Sequence, residues 1–86
     1  MFVILVYDIN KKRVGKVLKI CRKYLVHVQR SVFEGNITES KLKNLKRELQ
    51  KNICVEEDAI FIYSTDYLRT LGKECIGKVE NLSNII

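Results

Sequence analysis

An α+β fold, with one antiparallel sheet and two helices packed on one of its faces, is predicted by three features of the sequence. Two continuous apolar runs of strand length, Phe2 to Tyr7 and Ala59 to Tyr63, stand far apart in the chain. Each is preceded or followed by a segment whose apolar residues recur at helical spacing. Between the two helical patterns, Tyr24 to Ile37 reads as extended and rich in β-branched residues.

Taken in order, Phe2 to Tyr7 is the first strand. Asn10 then suits a helix cap, and Val14, Val17, Leu18, Cys21 and Leu25 mark the buried stripe of a first helix. Gly15 inside that helix is unfavourable by about 1 kcal/mol relative to Ala, and such a glycine marks either close approach by a neighbour or tolerated drift. Tyr24 to Ile37 contains YLVHV and SVFEGNI, joined at Gln29 and Arg30. A tight hairpin and a single bent strand both fit. Asn36 followed by Glu39 resembles a capping box, and Leu42, Leu45, Leu49 and Ile53 give the buried stripe of a second helix, roughly Thr38 to Asn52. Lys43, Lys46, Arg47 and Gln50 fall on its wet side. Glu56, Glu57 and Asp58 make an acidic loop before the strand at Ala59 to Tyr63. A helical turn at Asp66 to Leu71 and a short strand at Lys73 to Val79 are expected after it, with Asn81 to Ile86 as a tail.

The order β-α-β-β-α-β is the ferredoxin-like split arrangement, here with an extra C-terminal strand. The whole chain, 1–86, is expected to be one such domain, with its core at 2–65 and a C-terminal extension at 66–86. The first and last core strands are apolar without alternation, which indicates burial on both faces. Two helices cover only one face. In so short a chain the economical cover for the other is a second copy, so a sheet-to-sheet homodimer is inferred.

Bulk composition agrees with a small folded protein. Its 86 residues are 47% hydrophobic and 30% charged, which argues against disorder. A chain of this size buries roughly 60% of its unfolded surface, so a partner would add stability. No apolar run approaches the ~20 residues of a membrane span. Phe2 to Tyr7 lacks the basic flank and cleavage site of a signal peptide, so no membrane and a cytoplasmic location are expected. Cys21, Cys54 and Cys75 form no C-x-x-C pair and read as reduced, mostly buried thiols. His27 is the one histidine, which excludes a multi-histidine metal site within a single chain.

The net charge of +6 is unevenly placed. Residues 11 to 30 hold Lys11, Lys12, Arg13, Lys16, Lys19, Arg22, Lys23 and Arg30 with no acid. Residues 41 to 51 add Lys41, Lys43, Lys46, Arg47 and Lys51 against Glu48 alone. Thirteen cations against one anion over these two stretches exceed what solubility requires and indicate a polyanionic partner, nucleic acid above all.

Against this charge stands Asp8, the first acid in the chain, at the lip of the first strand. No Gly-rich phosphate loop and no nucleophile with an evident base accompany it. One carboxylate is too little for a hard-metal site, but a two-fold axis near the strand ends would bring two together. The pair would then hold one divalent cation able to polarise a phosphate and activate water. The alternative is structural: Asp8 caps the helix or pairs with Lys11 or Arg13.

The stretches VILVYDIN, then RV five residues after the aspartate, then VQRSVFEGNIT and DAIFIY, resemble the CRISPR-associated protein two family, the smaller of two proteins shared by most spacer-acquisition systems. The resemblance covers roughly residues 2 to 65. It implies a ferredoxin-like homodimer in which Asp8 of each subunit binds Mg²⁺ or Mn²⁺, one ion per dimer shared by two Asp8. It also implies Tyr7, Arg13 and Phe33 as catalytic-site residues beside Asp8, and a CRISPR integrase as partner. Lys11, Lys12, Arg13, Lys16, Lys19, Lys23 and Arg30 are the expected nucleic-acid contacts. His27 departs from the family's arginine at that position, and reads as a phosphate contact when protonated or as an apolar strand neighbour.

The resemblance implies a metal-dependent endonuclease acting on RNA or DNA in spacer acquisition, or a non-catalytic subunit that bridges DNA in the integration complex. An RNA-binding module of the same topology would carry a K/R-G-F/Y-G/A-F-V-x-F/Y signature, which RSVFEG lacks. A small-ligand regulator of this topology would not need so many cations.

Overall fold

The computed structural model describes residues 1–65 and 71–78. Within them the elements run β1 (Phe2–Asp8), α1 (Lys11–Arg22), β2 (Val26–Gln29), β3 (Val32–Asn36), α2 (Glu39–Asn52), β4 (Ala59–Thr65) and β5 (Leu71–Gly77). The five strands form one antiparallel sheet in the order β2-β3-β1-β4-β5. The first four strands in that order are the ferredoxin-like sheet, with β5 added outside β4. The expected strand at Lys73 to Val79 is therefore present but starts earlier, at Leu71. The rest of the expected turn at Asp66 to Leu71, together with Val79 and the tail, lies outside the described residues.

Residues 24 to 37 resolve into the hairpin. Val26 pairs with Glu34 and His27 with Phe33, after which the register shifts so that Gln29 faces Val32. The bulge accommodates a turn that contains neither Gly nor Asn.

Both helices are capped by side chains. The Asn10 carboxamide oxygen accepts from the Lys12 amide at 3.0 Å, as expected. For α2 the cap is Thr38, whose hydroxyl accepts from the Lys41 amide at 3.2 Å. Asn36 cannot serve because it is paired with Phe2 in the β1–β3 ladder, which holds its backbone extended. Each cap contributes about 1 kcal/mol.

The core lies between the sheet and the helices. Val3, Leu5, Phe33, Ile60 and Ile62 meet Val17, Ile20 and Cys21 of α1 and Leu42, Leu45 and Leu49 of α2. Alternation along β1 then turns Phe2, Ile4, Val6 and Asp8 to the opposite face. Val3 and Leu5 are 0% exposed, whereas Phe2 and Ile4 are 37% and 36% exposed. The non-alternating apolar strands thus mark a sheet that is apolar on both faces and covered by the described residues on one.

Gly15 resolves to the second of its two readings. A Cβ built there meets nothing within 4 Å, and the residue lies on the exposed side of α1. Gly15→Ala should stabilise the chain by about 0.4–1 kcal/mol, read as a higher denaturant midpoint with an unchanged slope.

Candidate functional site

Asp8 closes β1 opposite Ala59 of β4, on the open face and exposed to solvent. Neither structural alternative for it is realised. Asn10 caps α1. Among the described residues the Asp8 carboxylate has no hydrogen-bond or ion-pair partner. Two oxygens with unfilled acceptor capacity therefore stand at the end of a central strand, where a hard cation would find suitable donors. No group of three or more His, Cys, Asp or Glu that could hold a metal occurs among the described residues.

Arg13, which the family resemblance places beside Asp8 functionally, is engaged elsewhere. Its Nε donates to Asp58 Oδ2 at 2.6 Å and its Nη2 to Asp58 Oδ1 at 3.1 Å, while Nη2 also reaches Glu57 at 2.7 Å. Asp58 is wholly buried and accepts in addition from the backbone amides of Asn10 at 2.9 Å and Cys54 at 2.8 Å. The Arg13 hydrogen bonds hold this carboxyl down to about 2, against burial, which pushes it up; the Cys54 and Asn10 amides add to the lowering. Gly77 completes the enclosure: its φ is +101°, and a Cβ there would lie 2.2 Å from the Asp58 carbonyl oxygen. The Asp58 cluster joins the start of α1, the 54–58 turn and the β4–β5 edge, with Ala59 leading directly to the Asp8 register. The acidic loop is thus two things: an exposed Glu56 and Glu57, and a buried anchor. Its signal in the sequence was position, since Asp58 immediately precedes the buried pair Ala59–Ile60.

Tyr7 lies on the helix side of the sheet. Its hydroxyl donates to the Arg30 carbonyl at 2.9 Å, and its ring is tilted against Phe33 with centroids 6.3 Å apart. Burial, then the neighbouring Cys21 sulfur, push the phenol up, so Tyr7 is a protonated donor at neutral pH. Phe33 is 0% exposed. His27 stacks on it at 4.5 Å and 12°, and its Nε2 lies 2.6 Å from the same Arg30 carbonyl. Of the two roles open to His27, the geometry is that of the apolar strand neighbour. Tyr7, His27 and Phe33 together fasten the turn that carries Arg30, whose side chain is exposed.

On α1, Lys11, Lys12, Lys16, Lys19 and Lys23 are all exposed. Lys12, Lys16, Lys19 and Lys23 are spaced four, three and four residues apart, which sets them in one stripe along the helix. Lys23 also pairs with Glu48 of α2, which in turn accepts from the Tyr24 hydroxyl. On α2, Lys46 bonds Glu74 of β5 at 2.7 Å, so it ties helix to sheet. The basic stripe and Asp8 belong to opposite sides of the layer. Cys21, Cys54 and Cys75 are free, and burial pushes the Cys21 thiol up to about 12, which leaves it unreactive. None of the described helices is long and apolar enough to cross a membrane.

A family model described as CRISPR associated protein Cas2 matches residues 1–77. The chain belongs to the Cas2 family. Among curated Cas2 relatives, the CRISPR-associated endoribonuclease Cas2 of Thermotoga maritima is 46% identical over 77 residues, covering 90% of this chain and 88% of that one. The protein of the same name from Dictyoglomus turgidum is 43% identical over 81 residues, covering 94% and 93%. Two solved structures share the fold. One, titled as the crystal structure of cas2, is 37% identical with a TM-score of 0.71, covering 84% of this chain and 86% of its own. The other, Cas2 of Streptococcus pyogenes at pH 6.5, is 33% identical with a TM-score of 0.70, covering 77% and 87%. The Cas2 resemblance read from VILVYDIN and VQRSVFEGNIT is thereby established, and with it a CRISPR-associated role.

Proposed function

We propose that this chain is a metal-dependent endonuclease of CRISPR adaptation whose phosphodiester-cleaving site is completed only in the homodimer, by Asp8 of both copies. One observation carries the reading: Asp8 is an exposed carboxylate without a partner among the described residues, set at the end of a central strand on an apolar face that those residues leave uncovered. Closing that face with a second copy brings two such carboxylates to one end of the interface. Relatives named endoribonuclease support hydrolysis of phosphodiesters. Mg²⁺ or Mn²⁺ bound by the two carboxylates would supply a Lewis acid for the phosphate and a more acidic water.

The chain's own residues do the rest. Asp8 supplies hard oxygen ligands. Tyr7, protonated and bound to the Arg30 carbonyl, holds the end of β1 against the β2–β3 turn. Arg13 and Asp58 hold the entry of α1, and the Lys12 to Lys23 stripe neutralises phosphates with no sequence preference. Arg13 and Phe33 serve by support, since the first is spent on Asp58 and the second is enclosed.

The test is cleavage of single-stranded RNA and of duplex DNA under titration with Mg²⁺ and Mn²⁺, with a chelator control. Cleavage that appears with metal and vanishes with chelator is the expected result. Binding without cleavage under any metal would replace this reading by the second one, a bridging subunit acting beside the integrase, which the committed Arg13 and the exposed lysine stripe favour.

A further inference from the structure

The pairing between β1 and β3 continues past the first residue of β3. Leu5 faces Phe33 and Val6 faces Val32, and the Tyr7 amide then donates to the Ser31 carbonyl at 3.1 Å. One step further, the same count sets Arg30 of the β2–β3 turn beside Asp8, where β1 ends. Adjacent strands lie about 5 Å apart, so a long side chain at that position reaches whatever the carboxylate holds.

The backbone of Arg30 is fixed from outside the turn. Its carbonyl accepts from the Tyr7 hydroxyl at 2.9 Å and lies 2.6 Å from His27 Nε2. A carbonyl oxygen only accepts, so Nε2 carries the proton and both lone pairs of that oxygen are filled. His27 is stacked in turn on the enclosed Phe33. Three aromatic side chains thus hold an exposed residue whose guanidinium makes no hydrogen bond or ion pair among the described residues. It does not pair with Asp8 either. Arg13, the other arginine near this end of the sheet, is already bound to Asp58 and Glu57.

We propose that Arg30 contacts the scissile phosphate at the Asp8 site, its planar fork taking two phosphate oxygens. A guanidinium spent on Asp8 itself would cancel the charge that attracts a divalent ion. A phosphate between the two lets both side chains act. Tyr7 and His27 are then positioning residues: they order the turn before the substrate arrives, so none of the Arg30 contact is spent on ordering it. The inference rests on the Asp8 site of the proposed function and adds the cation that faces it.

Arg30→Gln tests it in the intact protein with two readings. On whichever of single-stranded RNA and duplex DNA the parent cleaves, kcat should fall by about tenfold or more, and Arg30→Lys should recover only part of the loss. KM should change by less than about threefold, because the α1 lysines carry the binding. Without nucleic acid, Mn²⁺ titration at low salt should show binding about two- to fivefold tighter than in the parent, since a neighbouring positive charge is gone. A turn that had merely loosened would lower kcat and weaken Mn²⁺ binding together. Parental kcat, or Mn²⁺ binding that is unchanged or weaker, overturns the role of Arg30 and leaves Asp8 standing. A parent that does not cleave, or whose Mn²⁺ binding is unaltered by Asp8→Asn, overturns the Asp8 site and this inference with it.

Discussion

Asp8→Asn is expected to lower metal-dependent cleavage by at least about 100-fold while leaving the fold, the dimer and nucleic-acid binding intact. The substitution keeps the side chain's shape and removes the negative charge that would hold a divalent ion. Nothing among the described residues relies on that charge for stability: the carboxylate has no partner there, and Asn10 already caps α1. In the proposed reading binding rests on the lysines of α1, which are exposed and lie on the far side of the sheet. Cleavage, sedimentation and a salt-dependent binding curve should therefore separate. An Asn variant that cleaves as fast as the parent would move the activity to another site.

Asp58→Ala should have the opposite signature, a large loss of stability from a residue without chemistry of its own. Two backbone amides, Asn10 and Cys54, lose their acceptor, and Arg13 loses both of its bonds to that carboxylate. Stranding these donors is expected to destabilise by about 3 kcal/mol, which for a chain of this size lowers the melting temperature by more than about 10 °C. The pH dependence follows from the same contacts. The folded carboxyl titrates at about 2, below its ordinary value of 3.8, so the unfolded chain takes up this proton first. The stabilisation is therefore complete above about pH 4 and is lost as the pH falls toward 2. Acid unfolding of the parent should show this loss, and Asp58→Asn should flatten it. An unchanged acid limb would mean that the Arg13 contact contributes little in solution.

The architecture was legible wherever one residue type repeats at a fixed period. Phe2 to Tyr7, Ala59 to Tyr63 and the Leu42, Leu45, Leu49 stripe all reported their elements, and Asn10 its cap. Asp8 was legible because it is isolated, a lone acid before a long run of cations. What escaped depends on contacts between distant residues. Arg13 and Asp58 are 45 positions apart, and nothing in either neighbourhood announces the other. Sequence alone made one a nucleic-acid contact and the other part of an acidic loop. The hairpin was hidden for a local reason: Gln29, Arg30 and Ser31 lack the usual turn residues, and the turn is held instead by Tyr7 and His27 from outside it. Thr38 displaced Asn36 as a cap because the β1–β3 ladder extends two residues further than the helix pattern shows.

The lysine stripe on α1 has a consequence for valency. The helices occupy the face opposite the one a second copy would cover, so a dimer displays the stripe twice, on its two outer sides. A nucleic acid too short to reach from one side to the other engages each stripe independently, two strands per dimer and at the affinity of one site. One long enough to engage both gains the second contact at high local concentration, so its affinity rises out of proportion to the added phosphates. Chain length, rather than base sequence, then becomes the property this surface measures.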